Sequence, residues 1–375
     1  MTRPHHPLRL IAAALLAAAS LGASAQDKTL NLYSARHYQS DEALFSNFTK
    51  ATGIKINRID SDDAGVVTRL KAEGAASPAD VVLMVDAARL TKAEADGLFQ
   101  PVKSEVLQQR IPAHLRDGND GGGPQWFGLS TRARIIVYNK AGVQRADVDT
   151  YQELGDAKNK GKVCTRSGSH PYNLTLFGAM LQHLGAPATE AWLKGMVDNM
   201  ARPPKGGDTD QIKAAASGEC QVVLSNSYYL ARLMRSTKPE DIEVVSKVGF
   251  VFPNQDSWGT HVNVAGAAMA RHAKHPAEAL RFLEYLASDE AQVYFANGNN
   301  EWPAVPSVKI SDNPALTAMG SFKVDALPIA QAGANQTQVQ QMLDRVGYKY
   351  LRRQGPGACE TCPSLPCSAR AGRAG

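Results

Sequence analysis

The stretch ADVVLMVD, residues 79–86, constrains this chain's fold more than any other. It is a near-continuous apolar run bounded by aspartates. Such a strand is buried on both faces, as in a parallel sheet covered by helices. Its neighbours agree. LNLYSA (30–35) reads as a short buried strand. DEALFSNFTKATG (41–53) carries apolar residues at helical spacing, with Gly53 as its C-cap. IKINRID (54–60) alternates like a strand, and AGVVTRLKAEG (64–74) reads as a helix. Strand, helix, strand, helix, strand predicts βαβ units with right-handed crossovers.

A second series follows the glycine-rich DGNDGGGPQ (117–125). WFGLSTRARIIVYN (126–139) reads as a long strand. GKVCTRSG (161–168) is a strand running into the helix SHPYNLTLFGAMLQHLG (169–185). DTDQIKAAASGE (208–219) is a helix, CQVVLSNS (220–227) a strand, and YYLARLMRS (228–236) the start of another helix. VGFVFPNQDSWGTHVNVAGAAMA (248–270) returns as extended chain, and 277–297 reads as an amphipathic helix pair. The expected fold class is α/β, with two discontinuous α/β lobes joined by a two-stranded hinge. Residues 26–125 plus 256–305 form lobe 1; residues 126–255 plus 306–349 form lobe 2.

A chain of 375 residues, 43% hydrophobic, has room for two such units. The formal charge of +5 is modest and sits largely at the two ends, so it is no nucleic-acid footprint. The N-terminus has a basic start, MTRPHHPLRL, a short apolar run, IAAALLAAASLG, and the small residues ASA before Gln26. That pattern predicts a secretory signal peptide, residues 1–25. The run is shorter than the roughly 20 residues a spanning helix needs. No cysteine follows the cleavage point, so no lipid anchor is expected. Export to an oxidising compartment bears on Cys164 and Cys220. We expect a disulfide between them; two buried thiols are the alternative. Residues 350–375, rich in Pro, Gly, Arg and Cys, read as a disordered tail. Its CETC followed by Cys367 lacks a fourth metal ligand.

No hydrolase, metalloprotease or P-loop motif occurs. Asp60, Asp62 and Asp63 lack calcium-loop spacing and read as a solvated turn and helix start. What remains is tyrosine. In open α/β sheets ligands sit beyond the carboxyl ends of strands. Three such ends here deliver it: His37 and Tyr38, then Tyr172, then the pair Tyr228 and Tyr229. Each alone is a common amphipathic cap on a core. Together, all at strand-to-helix turns, they favour one shared site. Phenolate is a hard anionic donor suited to hard cations, and imidazole also binds iron. A free phenol has a pKa of about 10, so only a strongly charged ion such as Fe³⁺ holds several ionised. Four phenolates and a neutral imidazole around Fe³⁺ leave a net charge of −1. Helix N-termini and an arginine, Arg132 or Arg134, could absorb it.

These residues resemble the periplasmic ferric-iron-binding proteins of bacterial ABC importers, the bacterial transferrins. The resemblance runs from about Leu30 to Lys349, through ADVVLMVDAARL, LSTRARIIVYNK, RSGSHPYNLTL and SNSYYLARL. The tandem tyrosines are its most specific motif. It implies a two-lobed type II periplasmic solute-binding fold and no enzyme activity. The implied metal ligands are His37, Tyr38, Tyr172, Tyr228 and Tyr229. The arginine near the metal is Arg132, not Arg134, and Asn226 falls where some members contact a bound anion. Members that use phosphate place a carboxylate where this chain has Val85, with Asp86 beside it. That departure points to the tyrosine-rich subgroup, and an external anion such as carbonate on Arg132 stays open. The implied partner is an inner-membrane ABC permease, the compartment the periplasm, and the expected state a monomer. Two other readings stand beside it. One is the same fold carrying a polyamine, thiamine or phosphonate, with Asp86 pairing an amine. The other is an exported hydrolase built on His37, which lacks a positioned nucleophile.

Overall fold

The computed structural model describes residues 28–36, 41–118 and 122–348. The leader, His37, Tyr38 and the tail 350–375 lie outside those residues. The first lobe opens with β1 (Thr29–Ser34), α1 (Asp41–Thr52), β2 (Lys55–Asp60), α2 (Asp63–Glu73), β3 (Val81–Met84) and α3 (Ala87–Ala95). Gly53 ends α1 with φ 73°, and its N–H donates to the Thr49 carbonyl at 2.8 Å. Glycine takes this left-handed conformation without a Cβ penalty.

β2, β1 and β3 are parallel neighbours, as the strand–helix alternation requires. Beyond β3 the sheet turns antiparallel. β8 (Val262–Met269) pairs with β3 on one side and with β4 (Trp126–Asn139) on the other. β4 is long enough to serve both lobes. Its first half, Trp126–Ala133, pairs with β8. Its second half pairs with β6 (Val222–Asn226) and β7 (Val248–Val251). β5 (Val163–Cys164) lies parallel to β6 at the far edge. The full path is β2-β1-β3-β8-β4-β6-β5. Two long strands side by side in its middle are the physical link between the lobes.

Three buried clusters follow this division. One gathers β1–β3, β8 and residues such as Phe48, Phe282 and Phe295. The other two lie around the second half of β4, with Tyr151, Phe177 and Trp192 in one and Ile135, Cys164 and Leu230 in the other. A late helix, Ile329–Ala334, adds a further join. It packs between α3 and the helix Pro171–Leu184. A Cβ added at Gly178 would sit 2.2 Å from the Ala332 carbonyl, so only glycine permits that approach. Among the described residues no helix is long and apolar enough to cross a membrane.

One carboxyl pair in the first lobe predicts a pH effect. Glu94 on α3 accepts a hydrogen bond from the Trp126 indole at 2.9 Å. Burial, and then the charge of neighbouring Asp117, push its carboxyl from 4.5 up to about 7. A raised folded-state pKa means the contribution is fully present below about 4.5 and lost as pH climbs through about 7. The thermal midpoint should therefore fall across that window. Glu94→Gln should flatten the fall. Parallel melting curves for parent and variant across this range would overturn the assignment.

Candidate metal centre

β5 and β6 are adjacent and parallel, with Val163 opposite Val222. Their carboxyl ends therefore emerge side by side. Each feeds a helix, α4 (Pro171–Leu184) after β5 and α6 after β6. Between them in the chain lies α5 (Asp208–Ser217), and α6 spans Ser227–Met234. Pro171 opens α4, where its missing N–H costs nothing. Tyr172 thus stands in the first turn of α4, and Tyr228 and Tyr229 in the first turn of α6.

The rings converge. The Tyr172 and Tyr228 hydroxyls are 3.2 Å apart. The rings of Tyr228 and Tyr229 lie 4.2 Å apart, tilted by 31°. At a helix's first turn, adjacent side chains can reach past the tip together, so the one-residue spacing does not separate them. Tyr172 and Tyr228 are buried and Tyr229 is half-buried. The two helix N-termini supply a partial positive charge that favours anionic oxygen.

Arginines surround this group. Arg132 lies 5.6 Å and Arg166 5.0 Å from the Tyr172 ring centre. Arg232 lies 5.4 Å from that of Tyr229. Arg132 is fully buried, and burial alone would lower its pKa. Glu301, Tyr172, Tyr228 and Asp86 outweigh that and raise it, so it stays charged. Its Nε and Nη2 have no hydrogen-bond partner among the described residues. The same is true of Nδ2 of Asn226, the residue that precedes α6. Three orphaned donors beside phenolic oxygens suit a small anion.

Arg134, two residues on, has a different task. Its Nη1 donates to Asp208 at 2.5 Å and to Asn226 at 3.1 Å, and its Nη2 to Asn173 at 2.8 Å. Asp208 at the start of α5 also accepts from Arg166 at 3.2 Å and from the Asn226 N–H at 2.8 Å. One buried carboxylate thus ties the starts of α4, α5 and α6 into a platform under the tyrosines.

Cys164 and Cys220 are bridged, with Cα atoms 5.8 Å apart, at the base of that platform. Removing the bridge with Cys164→Ala and Cys220→Ala should cost about 2–4 kcal/mol of stability. Intact mass after alkylation without reductant checks the bridge itself, since neither cysteine should gain a label.

The acidic residues divide against their sequence reading. Asp62 caps α2 by accepting from the Gly65 N–H at 2.7 Å, as a solvated turn would. Asp63 instead turns inward. It accepts from the Val85 N–H at 3.2 Å. Burial first, and then Asp86, raise its carboxyl to about 6. The carboxylate beside Val85 is therefore contributed from α2. Asp86 is spent on structure, accepting from Ala88 N–H, Thr175 and Asn263 at 2.8, 3.0 and 2.8 Å. His170, not singled out from sequence, caps α4. Its Nδ1 accepts from the Tyr172 N–H at 3.3 Å. Burial, then Arg166, push it down to about 2, so it is neutral. Its place beside Pro171 in SHPY was the available signal. Arg166, Asp208 and Glu301 had no local signal. Among the described residues no three His, Cys, Asp or Glu side chains could hold a metal ion together, which leaves the phenols as the oxygen donors that converge.

A two-lobed α/β fold with tyrosines gathered at helix tips and arginines around them defines a solute-binding protein. The chain belongs to the bacterial extracellular solute-binding protein family, whose pattern matches residues 43–318. It is 45% identical over 329 residues to iron uptake protein A2 of Synechocystis, covering 87% of this chain and 92% of that one. It is similar in structure to Trichodesmium FutA (IdiA) in complex with iron and citrate ligands. That match has a TM-score of 0.81 and 47% identity, over 86% of this chain and all of that one. Apo FutA2 from Synechocystis superposes equally well, with a TM-score of 0.81 and 44% identity over 86% of this chain and all of that one.

Proposed function

We propose that this protein binds ferric iron in the periplasm and delivers it to the permease of an ABC importer. The observation that carries this reading is the 3.2 Å approach of the Tyr172 and Tyr228 hydroxyls, with the Tyr229 ring 4.2 Å from that of Tyr228. Fe³⁺ docks first on these second-lobe phenolates. His37 and Tyr38 from the first lobe complete the shell as the lobes close, and the extra metal bonds favour the closed form. Arg132 and Asn226 hold a small anion such as carbonate against the metal. The lobes are 26–125 plus 256–305 and 126–255 plus 306–349, swinging on β4 and β8. Residues 1–25 direct export, and the mature chain works as a monomer with no catalytic turnover. Release follows protonation of the phenolates or reduction of the iron, since protons compete for the ligands and Fe²⁺ is a softer acid.

The likeness to iron uptake protein A2 and to FutA in complex with iron and citrate supports the ferric reading. An amine-bearing organic solute fits less well, because the oxygens of Asp86 are already taken by three donors. The test is direct. Protein loaded with ferric citrate and desalted should be reddish, from phenolate-to-iron charge transfer, and should retain about one iron per chain. Colourless protein free of iron after desalting overturns the reading.

A further inference from the structure

A chain of buried charges runs from the end of β1 to the tyrosines. Arg36 grips Asp41 with two nitrogens, Nε at 2.8 Å and Nη2 at 3.2 Å. Its Nη1 reaches Oε2 of Glu301 at 3.3 Å. That same oxygen accepts from the Ser130 hydroxyl at 2.8 Å. The other oxygen, Oε1, stands 3.7 Å from Nη1 of Arg132. The side chains of Arg36, Glu301 and Arg132 are 1–2% exposed. Glu301 owes its place to the short strand β9 (Trp302–Pro303), which pairs with Ser130 and Thr131 on β4.

The distances divide the work unequally. Oε2 is held by two donors at hydrogen-bond range. Oε1 faces Arg132 from beyond that range, so the attraction is Coulombic, and little solvent screens it. Arg132 meanwhile keeps Nε and Nη2 without partners among the described residues. Its charge is shared between a fixed internal carboxylate and whatever anion arrives.

We propose that Glu301 is a positioning residue that sets how strongly Arg132 holds the anion accompanying the metal. Arg36 and Ser130 hold Glu301 back from a full ion pair. The internal carboxylate is therefore strong enough to keep Arg132 oriented and too weak to displace an incoming anion. The inference rests on the ferric reading above and deepens it.

Ferric loading, followed by the visible charge-transfer band at increasing bicarbonate, tests it. Glu301→Gln keeps the shape and a hydrogen-bonding oxygen but deletes the competing charge. Its half-saturating bicarbonate should fall about tenfold. Arg36→Lys keeps the charge but loses the fork that binds Asp41 and Glu301 at once, and without the Nη1 contact Glu301 is free to approach Arg132. Its half-saturating bicarbonate should rise. A merely structural role would move both variants the same way, through weaker folding. If Glu301→Gln does not fold, Arg36→Lys alone decides, and an unchanged value overturns the proposal. So does a parent protein that colours equally with and without bicarbonate, and in that case the ferric reading survives. A parent that never colours removes the ferric reading itself.

Discussion

Tyr228→Phe should lose the visible colour of the ferric protein and bind iron at least ~100-fold more weakly. Changing a residue that only supports a metal ligand typically costs about 10–100-fold in affinity, so losing a ligand should cost no less. The change removes one oxygen. The ring keeps its contact with Tyr229 at 4.2 Å and its buried position, so folding should be nearly untouched. What disappears is the hydroxyl 3.2 Å from that of Tyr172, and with it the two-oxygen grip between the helix tips. Absorbance-monitored ferric titration measures the affinity, and a thermal melt of the unloaded protein controls for folding. A Tyr228→Phe protein that still colours fully at stoichiometric iron would remove Tyr228 from the ligand set.

Asp208→Asn should be the most damaging single change to stability, at about 3–5 kcal/mol. Asp208 is fully buried and is the shared counter-ion of Arg134 and Arg166, at 2.5 and 3.2 Å. Neutralising it strands two guanidiniums, one fully buried and the other largely so. It also weakens the acceptor for the Asn226 N–H. Because Asp208 joins the starts of three helices, iron affinity should fall with stability. Denaturant titration of the unloaded variant measures the first effect and ferric titration the second. A loss under about 1 kcal/mol would mean the arginines find other partners, since that is the range of exposed pairs.

Local features of the chain were readable in advance. The βαβ start of the first lobe follows from short-range periodicity, and β2-β1-β3 is parallel accordingly. The tyrosines at strand-to-helix turns were readable for the same reason. A turn position and a residue type are both local, and phenol chemistry does not depend on the fold. The helices Ala186–Asp198 and Pro239–Lys247 escaped that reading. The second buries no residue fully, so it offers only a faint apolar stripe.

Long-range pairing decided the rest. Nothing local shows that β8 inserts antiparallel between β3 and β4, because strand order depends on contacts across more than 100 residues. The convergence of Tyr172 with Tyr228, 56 positions apart, exists because β5 and β6 are parallel neighbours. The turn of Asp63 inward, away from the solvent assigned to it, comes with the hydrogen bond it accepts from the Val85 N–H, 22 positions along the chain. Glu301 lies 265 positions from Arg36, and a buried charge leaves no periodic trace. The amino-acid sequence by itself therefore determined which segments carry tyrosine and the helix tips that present it, since both are properties of short segments. Which donors meet, and which buried charges steady them, was decided by the folded chain, because sheet order and desolvated ion pairs exist only once distant segments are in contact.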